Sequence, residues 1–199
     1  MQDILPFSQA CENNKQYILD RIRPHLEEVA KVVEIGGGTG QHAVFFASGL
    51  PQLLWQSTDV PENLVTLNQR IDAAKLPNLP AAVALDVNQS EWPFTQSQGV
   101  FSANTLHIMS ESSVYGLFNG LSRVVAAQGI VMIYGPFKYK GQYTAPSNAA
   151  FDQWLKARDP ESGIRDFEFV DKLAMQAGLH LSEDHSMPAN NQLIVWKRV

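Results

Sequence analysis

The chain has 199 residues, of which 45% are hydrophobic and 18% charged, a composition that excludes a disordered or fibrous protein. Its net charge of −5 and its 15 scattered Lys and Arg residues argue against nucleic-acid binding, which needs a concentrated positive surface. The apolar runs are far shorter than the roughly 18 residues of a membrane span, and the first residues lack the pattern of a signal peptide. A single cysteine, Cys11, cannot form an internal disulfide, so we expect a cytoplasmic protein. The short apolar runs lead us to expect no membrane partner.

The first half of the sequence alternates helices with strands. A helix over about residues 8–29 carries Ile18, Ile22 and Leu26 on one face, and the short buried strand KVVEI follows it. The glycines after this strand open a second helix, QHAVFFASGL. The next predicted elements, in order, are the strand LLWQSTD, the helix PENLVTLNQRIDAAK, the strand AAVALDV and the strand QGVFSANTLHI.

The second half continues the alternation and then ends differently. The helix SESSVYGLFNGLSRVVAAQG precedes a fifth strand, IVMIYGP, and two more helices, SNAAFDQWLKARD and RDFEFVDKLAMQAG. The last two strands, GLHLSEDH and NQLIVWKRV, are separated only by MPANN, which is too short for a parallel crossover. The sequence therefore predicts an α/β fold, with a mostly parallel sheet, helices on both faces and an antiparallel pair at one edge.

The stretch VVEIGGGTGQHAVFFA places a glycine-rich turn between the first strand and its helix, where backbone NH groups and the helix dipole favour a nucleotide-like ligand. Gly38, Gly40 and Ala43 satisfy the dinucleotide pattern GxGxxG/A. Glu34, Gly36, Gly38 and Gly40 also give ExGxGxG. A carboxylate at Glu34 would repel a pyrophosphate and attract an ammonium and a sulfonium. Alternatively, Glu34 only caps nearby backbone NH groups.

Two further acids follow the next strands. Asp59 ends the second strand, where an acid binds ribose hydroxyls, although this position suits NAD equally and Asp59 also suits a helix cap. Asp86 ends the third strand, where it is expected to accept a hydrogen bond from an adenine amino group or to form a turn. Together with Glu34, these acids predict a nucleoside site along the carboxyl edge of the sheet.

These features resemble the class I S-adenosylmethionine-dependent methyltransferases. The resemblance implies S-adenosylmethionine as cofactor and a Rossmann-like seven-stranded sheet in the order 3-2-1-4-5-7-6, with strand 7 antiparallel. It also implies that the N-terminal helix covers the cofactor site. A closer resemblance to the methyltransferase-like protein 26 family, which is assigned to methyltransferases by sequence, rests on ACENNKQYIL, EIGGGTGQHAVFFA, STDVPENL, ANTLHIMS, YGPFKYKGQYT and MPANNQLIVW, among others.

Residues for the methyl acceptor are expected after the fourth strand and in the connecting loops. Asn104 occupies the position that the superfamily places against the methionine part of the cofactor and the acceptor. His107 is either a general base, for which its ordinary pKa of about 6.5 is suited, or a structural histidine. The substrate candidates from the helix and loops are Asn13, Lys15, Tyr139, Tyr143, Asn190 and Asn191.

A metal site is not predicted. HLSEDH contains His180, Glu183, Asp184 and His185, but regular strand alternation would point the two histidines to opposite faces. In addition, no second ligand pair has zinc-like spacing.

We therefore expect one methyltransferase domain over residues 1–199, acting on a small-molecule acceptor. Two alternatives stay open at this point. An NAD(P)-dependent oxidoreductase would use the same glycines, although it gives no role to Glu34 or Asp86. A non-catalytic module would bind S-adenosylmethionine and act through a protein partner.

Overall fold

The computed structural model describes residues 5–199. The helices in this range are α1 (Gln9–Ile22), α2 (Gln41–Gly49), α3 (Leu64–Ala74), α4 (Glu111–Val124), α5 (Pro146–Arg158) and α6 (Phe167–Gln176). The strands are β1 (Lys31–Ile35), β2 (Leu54–Asp59), β3 (Val83–Ala84), β4 (Ser97–Ala103), β5 (Val125–Gly135), β6 (Lys138–Tyr139), β7 (Gln142–Tyr143), β8 (Leu179–Met187) and β9 (Asn191–Arg198).

Seven of these strands form one sheet in the order β3-β2-β1-β4-β5-β9-β8. β1 pairs in parallel with both β2 and β4, and β4 pairs in parallel with β5. β9 is antiparallel to both of its neighbours, β5 and β8. The predicted sheet order and the antiparallel seventh strand are therefore confirmed. The carboxyl ends of β1, β2, β4 and β5 meet at one edge of the sheet.

Several elements differ from their predicted extents. α4 was predicted to run to Gly129 but ends at Val124, where β5 already begins, and β4 ends at Ala103, before the predicted Ile108. The first α-helix ends at Ile22, and a 3₁₀ turn over Arg23–Leu26 follows it, because Pro24 has no NH group to continue the helix. The third strand is reduced to β3, since the chain beyond it turns at Asp86. A small hairpin of β6 and β7 forms in the loop after β5.

Two apolar cores cover the two faces of the sheet. α1, α2 and α3 cover one face, with the aromatic rings of Phe46, Trp55 and Phe101 packed against one another at its centre. α4 and α6 cover the other face, where Trp196 of β9 packs against Phe118. Within residues 5–199, no helix combines the length and the apolar character that a membrane crossing requires.

Candidate functional site

The glycine turn, residues 36–40, follows β1 at the carboxyl edge of the sheet. The amides of Gly36 and Gly37 donate to the carbonyl of Thr58, at 3.0 and 2.9 Å, which attaches the turn to β2. Gly36, Gly38 and Gly40 have φ angles of 75°, 52° and 75°, in the left-handed region that favours glycine. Gly40 is also the N-cap of α2, so the turn and the start of that helix form one structure.

One side of this turn is packed and the other is open. A β-carbon built on Gly36 would lie 2.3 Å from Cγ2 of Thr105, and one on Gly37 would lie 2.2 Å from Oγ of Ser57. A β-carbon on Gly38 would meet no atom of the described chain within 4 Å. The backbone at Gly38 is therefore open to close approach by a ligand.

Glu34 lies behind the glycine turn and is 2% exposed. Its Oε2 accepts hydrogen bonds from the Ser57 hydroxyl at 2.6 Å and from the Trp55 indole NH at 3.1 Å. Burial raises the pKa of Glu34 to about 7, although these two hydrogen bonds oppose the shift. These bonds come from side chains, and not from the backbone NH groups that one of the two alternatives for Glu34 assumed.

Asp59 connects the end of β2 to the glycine turn. Its Oδ2 accepts from the Gly38 amide at 2.7 Å, and its Oδ1 accepts from the Val60 amide and the Asn63 side chain, each at 2.8 Å. A carboxylate has about four acceptor positions, so about one is left for a ligand hydroxyl. Asp86 lies beyond β3, and its Oδ1 accepts from the backbone and side chain of Asn88, both at 2.9 Å.

Asn104 and His107 follow β4, beside the glycine turn. Asn104 has a φ of 58°, and its amide donates to the carbonyl of Tyr134 at 2.8 Å. His107 is 5% exposed, with its ring centroid 5.3 Å from that of Phe151. Burial, assisted by the charge of Arg165, lowers the pKa of His107 to about 4. The imidazole is therefore neutral and weakly basic near pH 7.

A polar cluster that the sequence reasoning mostly missed lies between α1, α2 and β5. It consists of Cys11, Asn14, His42, Tyr134 and Asn191. Nε2 of His42 is 2.7 Å from Oδ1 of Asn14, and Nδ1 of His42 is 3.9 Å from the Cys11 sulfur. Asn14 and Asn191 lie beside the Tyr134 hydroxyl and act to lower its pKa, although burial raises the pKa overall. Of these residues, only Asn191 was a predicted site residue.

The helix periodicity contained the signal for Asn14. Ile18 and Ile22 define the buried face of α1, and Asn14 lies one turn before them on the same face. Asn13, the predicted substrate residue, is exposed, and its Oδ1 accepts from Gln9 at 2.9 Å. Asn14, a polar residue on the apolar face of the helix, was therefore a better candidate for a buried polar contact than Asn13.

α1 is attached to the helix that follows the glycine turn. The Ser8 amide donates to Oε1 of Gln41 at 2.6 Å, and the Gln41 amide group donates to Glu12 at 2.7 Å. Lys15, a predicted substrate residue, forms an ion pair with Glu12, and its Nζ lies 4.9 Å from the centre of the Phe45 ring. These contacts place Lys15 beside the start of α2.

The other predicted substrate residues have bonds away from the glycine turn. The Tyr139 hydroxyl donates to Asp184 at 2.7 Å, and the Tyr143 hydroxyl donates to Asp152 at 2.7 Å. Asn190 donates to the Ser147 hydroxyl at 3.2 Å, in the tight turn between β8 and β9. The partners in these three hydrogen bonds are Asp184, Asp152 and Ser147, none of which belongs to the glycine turn.

Several solved structures of longer proteins have a similar fold. The S-adenosylmethionine-dependent methyltransferase SibL in its apo form has a TM-score of 0.78 and 22% identity, over 95% of this chain and 55% of SibL. Human N-acetylserotonin methyltransferase in complex with SAM has a TM-score of 0.81 and 15% identity, over 96% and 53%. An O-methyltransferase family protein from Burkholderia thailandensis has a TM-score of 0.76 and 15% identity, over 95% and 59%.

The chain thus spans just over half the length of these three proteins, and identities this low establish the fold that they share with it. A family match extends over nearly all of the described residues. Residues 5–198 match the family whose description reads Protein of unknown function (DUF938). The chain therefore belongs to the DUF938 family.

Proposed function

We propose that this chain is a class I S-adenosylmethionine-dependent methyltransferase that acts on a small-molecule acceptor in the cytoplasm. The observation that carries the proposal is the open backbone face at Gly38, whose amide is held by Asp59 at the ends of adjacent parallel strands. The sheet order supports it, as does the likeness to solved methyltransferases. The resemblance to the methyltransferase-like protein 26 family supports the same activity.

The polar groups at the carboxyl edge of the sheet fit S-adenosylmethionine. Asp59 has an acceptor position left for a ribose hydroxyl, and Asp86 would accept from the adenine amino group. The glycine turn would lie against the methionine part, with Glu34 behind it and Asn104 beside it. A positively charged cofactor in this site would favour the ionised form of Glu34. α1 would cover the bound cofactor.

The acceptor would bind against the polar cluster. The bound cofactor supplies an activated methyl group, so the protein has to orient the acceptor atom in line with it. Asn14, Tyr134 and Asn191 offer uncharged donors and acceptors, and burial lowers the pKa of His42 to about 4, so that it is neutral as well. This neutral lining would suit a polar acceptor. The low pKa of His107 makes it a weak base, so its catalytic role stays a prediction.

Calorimetric titration of the protein with S-adenosylhomocysteine, and separately with NADH, tests the choice of cofactor. We expect saturable binding of S-adenosylhomocysteine and none of NADH, because the Gly38 amide is already bonded to the Asp59 carboxylate, which would repel a pyrophosphate at the turn. Binding of NADH alone would show that the glycine turn serves a dinucleotide. Binding of neither ligand would remove the support for the methyltransferase.

The Asp59→Ala variant should bind S-adenosylhomocysteine at least about tenfold more weakly, which corresponds to about 1.4 kcal/mol. The substitution removes the ribose acceptor and the bond that holds the Gly38 amide. The control is Asp72→Ala, which makes the same charge change on the exposed side of α3. Equal affinity of the two variants in calorimetry would refute the assignment of Asp59.

A further inference from the structure

A cluster of two histidines and a carboxylate lies away from the glycine turn, at the outer edge of the sheet. Nε2 of His185 is 2.6 Å from Oε2 of Glu183 on β8, and Nε2 of His25 is 3.6 Å from the same oxygen. The three candidate ligand atoms lie within 4.8 Å of one another. The side chains of His25, His185 and Glu183 are 11%, 22% and 38% exposed, so the cluster is partly sheltered but open to solvent.

An irregularity in β8 places Glu183 and His185 on the face of the sheet that α1 covers. The register of β8 against β9 shifts between Leu181 and Glu183, which inserts an extra residue into the strand. Glu183 and His185 then pair with Val195 and Leu193, whose side chains belong to the core beneath α1. The alternation assumed from the sequence is therefore interrupted at this point.

The third member comes from a distant part of the chain. His25 lies in the 3₁₀ turn Arg23–Leu26, which packs over this face through Leu26. His180, on the same strand, pairs with Lys197 and lies several residues farther along β8, outside the cluster. No local sequence spacing could have indicated this combination, since His25 lies far from Glu183 and His185 in the chain.

The donor set is that of a zinc site with an open position. Two imidazoles and a carboxylate are a known ligand combination for Zn²⁺, with bonds of about 2.0–2.2 Å and a water as the fourth ligand. Tetrahedral bonds of this length place ligand atoms about 3.3 Å apart, so the observed separations need only small side-chain movements. The 3.6 Å distance from His25 to Glu183 is too long for a hydrogen bond, so this nitrogen is directed at the carboxylate without bonding to it.

We propose that His25, Glu183 and His185 bind a divalent metal ion, with Zn²⁺ as the preferred ion. The Glu183 carboxylate offsets part of the positive charge of the ion. It also opposes the positive charge of Lys197, which lies near His25. The ion joins the turn after α1 to the edge strand of the sheet. Its place is separate from the glycine turn, so this site does not depend on the proposed cofactor.

Calorimetric titration of Zn²⁺ into the full chain, free of any affinity tag and treated with a chelator, tests the site. We expect one saturable ion per chain. His25→Ala and His185→Ala should each weaken Zn²⁺ binding by at least about tenfold, since each removes one of three protein ligands. His180→Ala is the matched control, because it removes an exposed histidine from the same strand, and it should bind Zn²⁺ like the parent.

Circular dichroism establishes that each variant is folded. If an alanine variant unfolds, Glu183→Gln gives the same test, because it keeps a hydrogen-bonding group but loses the anionic ligand. The visible spectrum of the Co²⁺ form should also change in the His25→Ala variant. Absence of saturable Zn²⁺ binding, or equal affinity in the His25→Ala, Glu183→Gln and His180→Ala variants, would overturn the proposal.

Discussion

As the pH rises from about 4.5 to about 7, the unfolding free energy of the Glu34→Gln variant is expected to increase by about 3 kcal/mol relative to that of the parent. The carboxyl group of Glu34 has an ordinary pKa of 4.5, and burial raises the pKa in the folded chain to about 7. In this pH range the folded chain holds a proton that the unfolded chain has released. The contribution of Glu34 to the stability of the parent is therefore present below about pH 4.5 and is lost as the pH rises through 7.

Urea unfolding of both proteins at several pH values measures this difference. Glutamine keeps an oxygen for Ser57 and Trp55 and cannot ionise, so the change isolates the proton of Glu34. His42 and His107, whose pKa values burial lowers to about 4, act in the opposite direction below about pH 6.5. Their effects are common to both proteins and cancel in the comparison. The exposed control Glu62→Gln should have the same dependence of unfolding free energy on pH as the parent. If Glu34→Gln also had the same dependence, the raised pKa of the buried Glu34 carboxyl group would be contradicted.

The second large effect is expected at the glycine turn. Gly36→Ala should lower the unfolding free energy by about 2–5 kcal/mol, since it places an L-residue in the left-handed region and forces a methyl group against Thr105. Gly38→Ala has the same kind of backbone strain but no such contact, so it should cost only about 1–2 kcal/mol. The two variants differ mainly in the space available to the added methyl group.

The ligand affinities of the two glycine variants separate stability from function. The methyl group of Gly38→Ala would lie on the open face of the turn, so binding of S-adenosylhomocysteine should be lost while the fold is kept. Denaturant unfolding and calorimetry on the same samples measure both quantities. Parent-like binding by Gly38→Ala would mean that this face is not the cofactor site.

The antiparallel pairing of the last two strands could be predicted from the sequence because it depends on a connection length, whereas the order of the sheet was implied by the resemblance. MPANN cannot cross over the sheet, so β8 and β9 have to be antiparallel, and the resemblance then placed β9 inside the edge strand. The length of β3 could not be predicted in the same way. AAVALDV has an apolar pattern, but the chain turns at Asp86 after only two paired residues, and this depends on tertiary packing.

The glycine turn was predictable because its sequence pattern is local. Gly36, Gly38 and Gly40 were identified as a turn that offers backbone NH groups, and the structure adds that all three have φ angles in the left-handed region. Side chains in loops were harder, since the bonds of Tyr139 and Tyr143 depend on where other elements lie. His25 and His185 illustrate the same difficulty, because a bulge and a distant turn bring them together.

The position of β9 has a consequence for folding during synthesis. β9 lies between β5 and β8 although it follows both in the chain, so it leaves the ribosome after both neighbours. Until then β5 has an unpaired edge, and both cores lack the side chains of Leu193, Ile194, Val195 and Trp196. The nascent chain therefore carries an incomplete, aggregation-prone sheet until translation has passed this strand, and its folding is completed late.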